Sequence, residues 1–284
     1  PIKLRLGVGS SGYSGLWKGL AEDLVRSTAS DRKLGRFAVG WYEVDARPFN
    51  LLAENVIDIS VTCHLLSQKT ALAQGVASRR ECCFRDHWVL GGPKRNPAGL
   101  VTDGSQSIFE LLSTLFIAGI CTSGASPSIH FLTKFDASAA NVKESNLWST
   151  IGQAPWSDIH SSWYHRYVNT SPKALEVAAQ MQEYTLIEGG TWLAADAETR
   201  ENMMVFKRGG DDEKDPLLCP VHALVGTNAT NKELAEEFLE WVIEAEGQKL
   251  IQAFAINGIP LYTEAPVSLR RLSWFYHHSD MDLV

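Results

Sequence analysis

Three loops of this chain carry residue types that hold anions. Ser10, Ser11 and Ser14 stand in the first, Arg47 in the second, and Lys134, Asp136 and Ser138 in the third. Each loop precedes a segment with helical spacing. Hydroxyls and cations beside the free N–H groups of a helix start form a set of donors suited to a small anion. Helix capping is the other use of serines at such places. His64, His87 and His222 fall at strand ends, where each either faces a cleft or fills a structural role. A different chemistry stays open: Cys63, His64 and His87 offer a nucleophile and general bases to an enzyme. No glycine-rich nucleotide loop, nucleophile elbow, zinc-protease helix motif or calcium loop occurs, so no catalytic residue is expected and no cofactor or metal is called for.

The elements that position these loops alternate. Residues 2–9 read as a strand, 16–29 as a helix, 36–44 as a strand and 49–55 as a helix with Pro48 suited to its first turn. Residues 57–63 read as a strand, 88–91 as another, 105–119 as a helix and 129–133 as a short strand. Residues 137–151 and 172–183 read as helices with no strand assigned between them; 163–168 is ambiguous. Strands follow at 184–187, 203–207 and 221–225, and a helix turns in after Glu188. The longest helical pattern covers 231–254, with a break near Glu246-Gly247. This order predicts an α/β fold, in which loops at the carboxyl ends of parallel strands bind ligands.

The chain has 284 residues, with 26 Lys plus Arg against 33 Asp plus Glu and a formal net charge of -7. That balance argues against a nucleic-acid partner. The most apolar run, Ile108 to Cys121, is shorter than the roughly 20 residues a membrane helix needs and contains Glu110, so it reads as a buried helix without membrane insertion. The five cysteines, Cys63, Cys82, Cys83, Cys121 and Cys219, have no ligand spacing for zinc; buried thiols are the main expectation and a disulfide the alternative. The chain begins Pro1-Ile2-Lys3, and a removed leader is the expectation.

Four stretches then fall into one pattern. They are Trp88–Leu100 (WVLGGPKRNPAGL), Tyr184–Ala194 (YTLIEGGTWLA), Phe238–Ile251 (FLEWVIEAEGQKLI) and Ile256–Tyr262 (INGIPLY). In this order they resemble the TupA-type tungstate-binding proteins of ABC transporters, in the periplasmic-binding-protein superfamily. The resemblance implies a two-lobed type II binding-protein fold with a ligand cleft between the lobes. Lobe one would hold residues 1–86 and 217–284, and lobe two residues 87–216. Hinge closure would trap the ligand. It further implies a non-enzymatic monomer, extracellular or periplasmic, with an ABC transporter permease as partner; a secreted or sensory binding protein without a transporter is the alternative. The family's first binding loop falls on Gly7–Ser11 and keeps Ser10 and Ser11. Its second falls on Asp45-Ala46-Arg47, where an arginine appears in place of a threonine loop. Its third falls on Thr133–Asn141, where Lys134 replaces an oxyanion-clamping arginine and Ser138 is kept. With His64, these residues form the expected ligand set: Ser10, Ser11, His64, Arg47, Lys134 and Ser138. The ligand is a tungstate- or molybdate-like oxyanion or another small anion, such as a carboxylate or phosphate ester.

Overall fold

The protein is described from a computed structural model covering residues 1–28, 37–44, 48–122 and 128–266. Arg47, singled out from the sequence, lies outside these residues. The elements run in the order β1 (Ile2–Val8), α1 (Leu16–Ser27), β2 (Ala38–Glu43), α2 (Pro48–Ala53), β3 (Ile59–Thr62), α3 (Leu65–Ala73), β4 (Ala77–Pro93) and α4 (Ile108–Cys121). They continue with β5 (Phe131–Thr133), α5 (Ala139–Thr150), β6 (Tyr164–Arg166), α6 (Ser171–Met181), β7 (Tyr184–Glu188), α7 (Gly189–Ala194), α8 (Ala197–Asn202) and β8 (Met203–Arg208). The last are β9 (Leu218–Gly226), α9 (Lys232–Ile243), α10 (Ala245–Ala253), β10 (Ala255–Ile256), β11 (Ile259–Pro260) and β12 (Thr263–Glu264).

Two compact units divide the chain: Pro1–Asp86 with Pro220–Val284, and His87–Cys219. The chain passes from one to the other within β4 and returns within β9. In unit one, β1 pairs in parallel with β2 and β3, and β3 pairs antiparallel with β9. Helix α1 forms because Leu16, Trp17, Leu20, Ala21 and Leu24 recur on one face, and that face is buried. Its Trp17 ring lies 6.0 Å from Phe84 of β4 and 6.5 Å from Phe238 of α9. Leu52, Ile57, Ala71, Ala77 and Leu224 form a second cluster from α2, the segment entering β3, α3, β4 and β9.

In unit two, β5 pairs in parallel with β6 and β7, while β4 pairs antiparallel with β7 and β8. Alternation along β5 sends its side chains to two helical layers. Phe131 meets Trp148 of α5 with centroids 5.3 Å apart. Leu132 packs with Ala174, Leu175, Ala178 and Ala179 of α6. Helix α4 starts at a capping box in which Ser107 N donates to Glu110 Oε2 (2.7 Å) and Glu110 N donates to Ser107 Oγ (3.3 Å). It buries Ile108, Leu111, Leu112 and Leu115 and leaves Ile117 and Ile120 exposed.

Three differences from the sequence reading have physical causes. Residues 77–87 extend β4 well before the expected start at Trp88. Arg79, Arg80 and Glu81 disguise that half, and pairing quiets their charge: Arg79 Nε lies 3.0 Å from Glu81 Oε1 and its Nη2 on Glu240, and Arg80 Nε donates to Gln68 Oε1 (2.7 Å). Helix α3, unassigned from the sequence, has almost no segregation of apolar residues to one face, which hides it from periodicity. The long C-terminal helix divides at Glu244, in extended backbone, rather than at Gly247. Gly247 nonetheless permits the turn. A Cβ there would stand 2.4 Å from the Trp241 carbonyl oxygen and 2.6 Å from Val242 Cα. Backbone cannot yield as a side-chain tip does, so Gly247→Ala should destabilise the protein by about 2 kcal/mol, read as a lowered urea midpoint.

Candidate functional site

Parallel strands place their carboxyl ends on one edge. In unit one that edge receives the turn after β1 and His64 after β3. Ser10 to Ser14 form a short 3-10 turn, and Ser10 is half-buried. Ser11 is nearly buried, and its Oγ accepts from Trp17 Nε1 at 3.0 Å. With that lone pair occupied, the hydroxyl proton remains available to an outside acceptor. Gly12 has no room for a side chain, since a Cβ would lie 2.5 Å from Val8 Cγ2. His64 caps α3: its Nδ1 accepts from Ser67 N (3.3 Å) and touches the Ser67 hydroxyl. Burial lowers its pKa, favouring the neutral ring, and an accepting Nδ1 puts the proton on Nε2. His64 therefore offers a donor beyond its cap.

In unit two the corresponding edge gathers the starts of α5, α6 and α7, after β5, β6 and β7. Lys134 follows β5 directly and is only 3% exposed. Its Nζ donates to Ser171 Oγ, at the first residue of α6 (2.9 Å), and lies 3.2 Å from Asp136 Oδ2. Ser138 caps α5 by accepting from Asn141 N (3.3 Å), while its own N–H donates to Asp136 Oδ1 (3.0 Å). The loop holding these groups is strained: Phe135 and Ala137 have φ of 47° and 60°, in the left-handed region that non-glycine residues rarely occupy. Arg166, ending β6, stacks its guanidinium 4.5 Å from the Phe135 ring centre.

Each sequence-predicted residue within the described set thus sits at a strand's carboxyl edge, Ser10, Ser11 and His64 in unit one, Lys134 and Ser138 in unit two. Two groups the sequence reading passed over join the unit-two edge. Asn141 Nδ2 and Thr191 Oγ1 are sequestered from solvent with no hydrogen-bond partner among the described residues. Asn141 falls within the third binding loop of the resemblance and Thr191 within its YTLIEGGTWLA stretch, so alignment carried a signal that residue type did not.

Two of the groups considered for enzymatic chemistry have structural partners, His64 as the cap of α3 and His87 beside Asp211. His87 Nε2 lies 2.9 Å from Asp211 Oδ1. His222 is buried beside Arg80 (2.7 Å), and burial, reinforced by that cation, lowers its pKa to about 3. Cys63 is half-buried and Cys121 exposed, and among the described residues no disulfide forms. No helix among the described residues is long and apolar enough to cross a membrane.

Known proteins share this fold. A solved structure described as a "periplasmic putative metal binding protein" is 37% identical, superposes with a TM-score of 0.85, and is matched over 94% of this chain and 97% of its own. The chain belongs to this family of periplasmic binding proteins. More distant members carry a ligand in their names. The tungstate-binding protein TupA of Peptoclostridium acidaminophilum is 23% identical over 89% of this chain and 82% of its own. The structure of TupA from Desulfovibrio alaskensis G20 shares the fold at a TM-score of 0.70 and 20% identity, over 93% of this chain and 99% of its own. No protein-family model matches the chain.

Proposed function

We propose that this protein is a non-enzymatic solute-binding protein that traps a small oxyanion between two closing lobes and presents it to an ABC transporter permease outside the cytoplasm. The observation that carries the reading is the polarity of the site. Ser11 and His64 are each held by their neighbours so as to offer a donor, and Lys134 fixes a buried positive charge, at strand edges where helix N-termini open. Asn141 Nδ2 and Thr191 Oγ1 add donors without partners among the described residues. An anion is the ligand such a set satisfies. The names of the relatives agree: a metal binder and tungstate binders meet in a metal oxyanion. The family resemblance adds Arg47, which lies outside the described residues, as a second cation, and Ser10 and Ser138 to the ligand shell.

The test is a thermal-shift screen of tungstate, molybdate, sulfate, phosphate and small carboxylates, followed by calorimetry on the best. One oxyanion should raise the melting temperature by several degrees, since ligand at ~1,000 times Kd adds about 4 kcal/mol. Lys134→Met, which keeps the buried stem, and Arg47→Ala should each weaken that ligand ~10- to 100-fold, the worth of one charge-assisted hydrogen bond. Unchanged affinity in both variants would remove these residues from the site. No shift with any oxyanion would overturn the assignment.

A further inference from the structure

We propose that His130, His165 and Glu183 form a binding site for a divalent transition-metal ion of the zinc class, with His130 and Glu183 just before the amino-terminal ends of β5 and β7 and His165 within the adjacent β6. This is the strand edge opposite the anion-site loops, and the three residues belong to unit two alone. Strand register assembles them. Phe131 lies abreast of Tyr164 and of Tyr184. Alternation then turns the neighbours of these three, residues 130, 165 and 183, to the other face of the sheet together.

The side chains meet there. One ligand atom from each lies within 4.8 Å of the other two. Glu183 Oε1 is 2.6 Å from His165 Nδ1 and 3.9 Å from His130 Nδ1, and the imidazole rings stack with centres 4.5 Å apart. Glu183 is fully buried, yet beyond these imidazoles neither carboxylate oxygen meets a hydrogen-bond donor among the described residues. A buried carboxylate so poor in donors is costly, and a cation at this point relieves it. His130 is oriented by a hydrogen bond to the Ser162 backbone, the kind of second contact that fixes a metal-binding imidazole. His130 and His165 are partly exposed, which gives an ion an entry path and a water its fourth position. Two imidazoles and one carboxylate suit zinc and its neighbours; calcium and magnesium prefer oxygen throughout.

The experiment titrates chelator-treated full-length protein with Zn2+ by calorimetry and with Co2+ by visible absorption. One Zn2+ should bind per chain, raise the melting temperature, and displace Co2+ from a form showing four-coordinate d–d bands. Changes in second contacts alone weaken metal sites ~10- to 100-fold, so His165→Ala and Glu183→Gln, which remove ligands, should each weaken binding at least ~100-fold. His160→Ala, an exposed histidine off the cluster, should bind as the parent does. Should Glu183→Gln not fold, the half-exposed His165 still decides the matter. Absence of stoichiometric uptake, or uptake unaltered in His165→Ala, would overturn the site and show a plain His165–Glu183 ion pair. Oxyanion binding should be the same in His165→Ala and parent, so the two assignments fail separately.

Discussion

Arg5→Ala should destabilise the protein by about 3–5 kcal/mol, the range for stranding a buried charge. Asp58 is fully buried at the start of β3, and Arg5 of β1 meets it with a two-pronged grip, Nη2 to Oδ1 at 2.8 Å and Nε to Oδ2 at 3.0 Å. The backbone N–H groups of Arg5 and Thr230 complete the shell, each at 2.8 Å. The same guanidinium holds the Asn55 carbonyl (2.7 Å) and the Thr230 hydroxyl (2.7 Å), so one side chain joins β1 to the segments entering β3 and α9. Removing it leaves a carboxylate with two donors and no counter-charge. Urea unfolding followed by circular dichroism measures the loss. The Arg5→Ala/Asp58→Ala double variant should be less damaged than the sum of the singles, because removing both partners leaves no buried charge. Arg5→Lys keeps charge but not the fork and should fall between parent and Arg5→Ala. A loss below about 1 kcal/mol for Arg5→Ala would mean that the carboxylate finds water, as at a surface pair.

Glu144→Gln should stabilise the protein above neutral pH and change little in acid. Glu144 lies on α5, 4% exposed, with Tyr164 Oη donating to its Oε1 at 2.5 Å and Trp148 Nε1 at 3.2 Å. Burial, the dominant cause, raises its pKa from 4.5 to about 7, and the hydrogen bonds offset only part of that. Below about 4.5 folded and unfolded chains both hold the proton, and Glu144 contributes its full stability. As pH rises through about 7, the unfolded chain has already released its proton, while the fold must either retain it or bury a charge. The contribution is then lost, by about 3 kcal/mol in all. The amide that Glu144→Gln introduces can accept from Tyr164 and Trp148 without a charge. The difference between parent and variant unfolding free energies should therefore grow between pH 5 and pH 8. A flat difference across that range would mean that Glu144 ionises at its ordinary pKa, with water reaching the α5 face.

Local patterns in the sequence determined most of the elements. The apolar faces of α1 and α9, the capping box of α4 and the proline opening α2 are each written within a few residues of one another. So was the placement of Ser10, Ser11, His64, Lys134 and Ser138 at strand ends, which follows from alternation of strand and helix, while their match to a family's binding loops came from linear order. Tertiary structure decided what depends on partners distant in the chain. The first half of β4 looks like a charged surface run until Glu240 and Gln68 arrive from α9 and α3. Lys134 reads as an available cation until Asp136 and Ser171 are seen to hold it. His130, His165 and Glu183 show no ligand spacing at all; only the parallel register of β5, β6 and β7 sets them on one face. Periodicity records which face of a segment is buried, whereas register records which segments lie side by side, and that is fixed by pairing across the sheet rather than by neighbours along the chain.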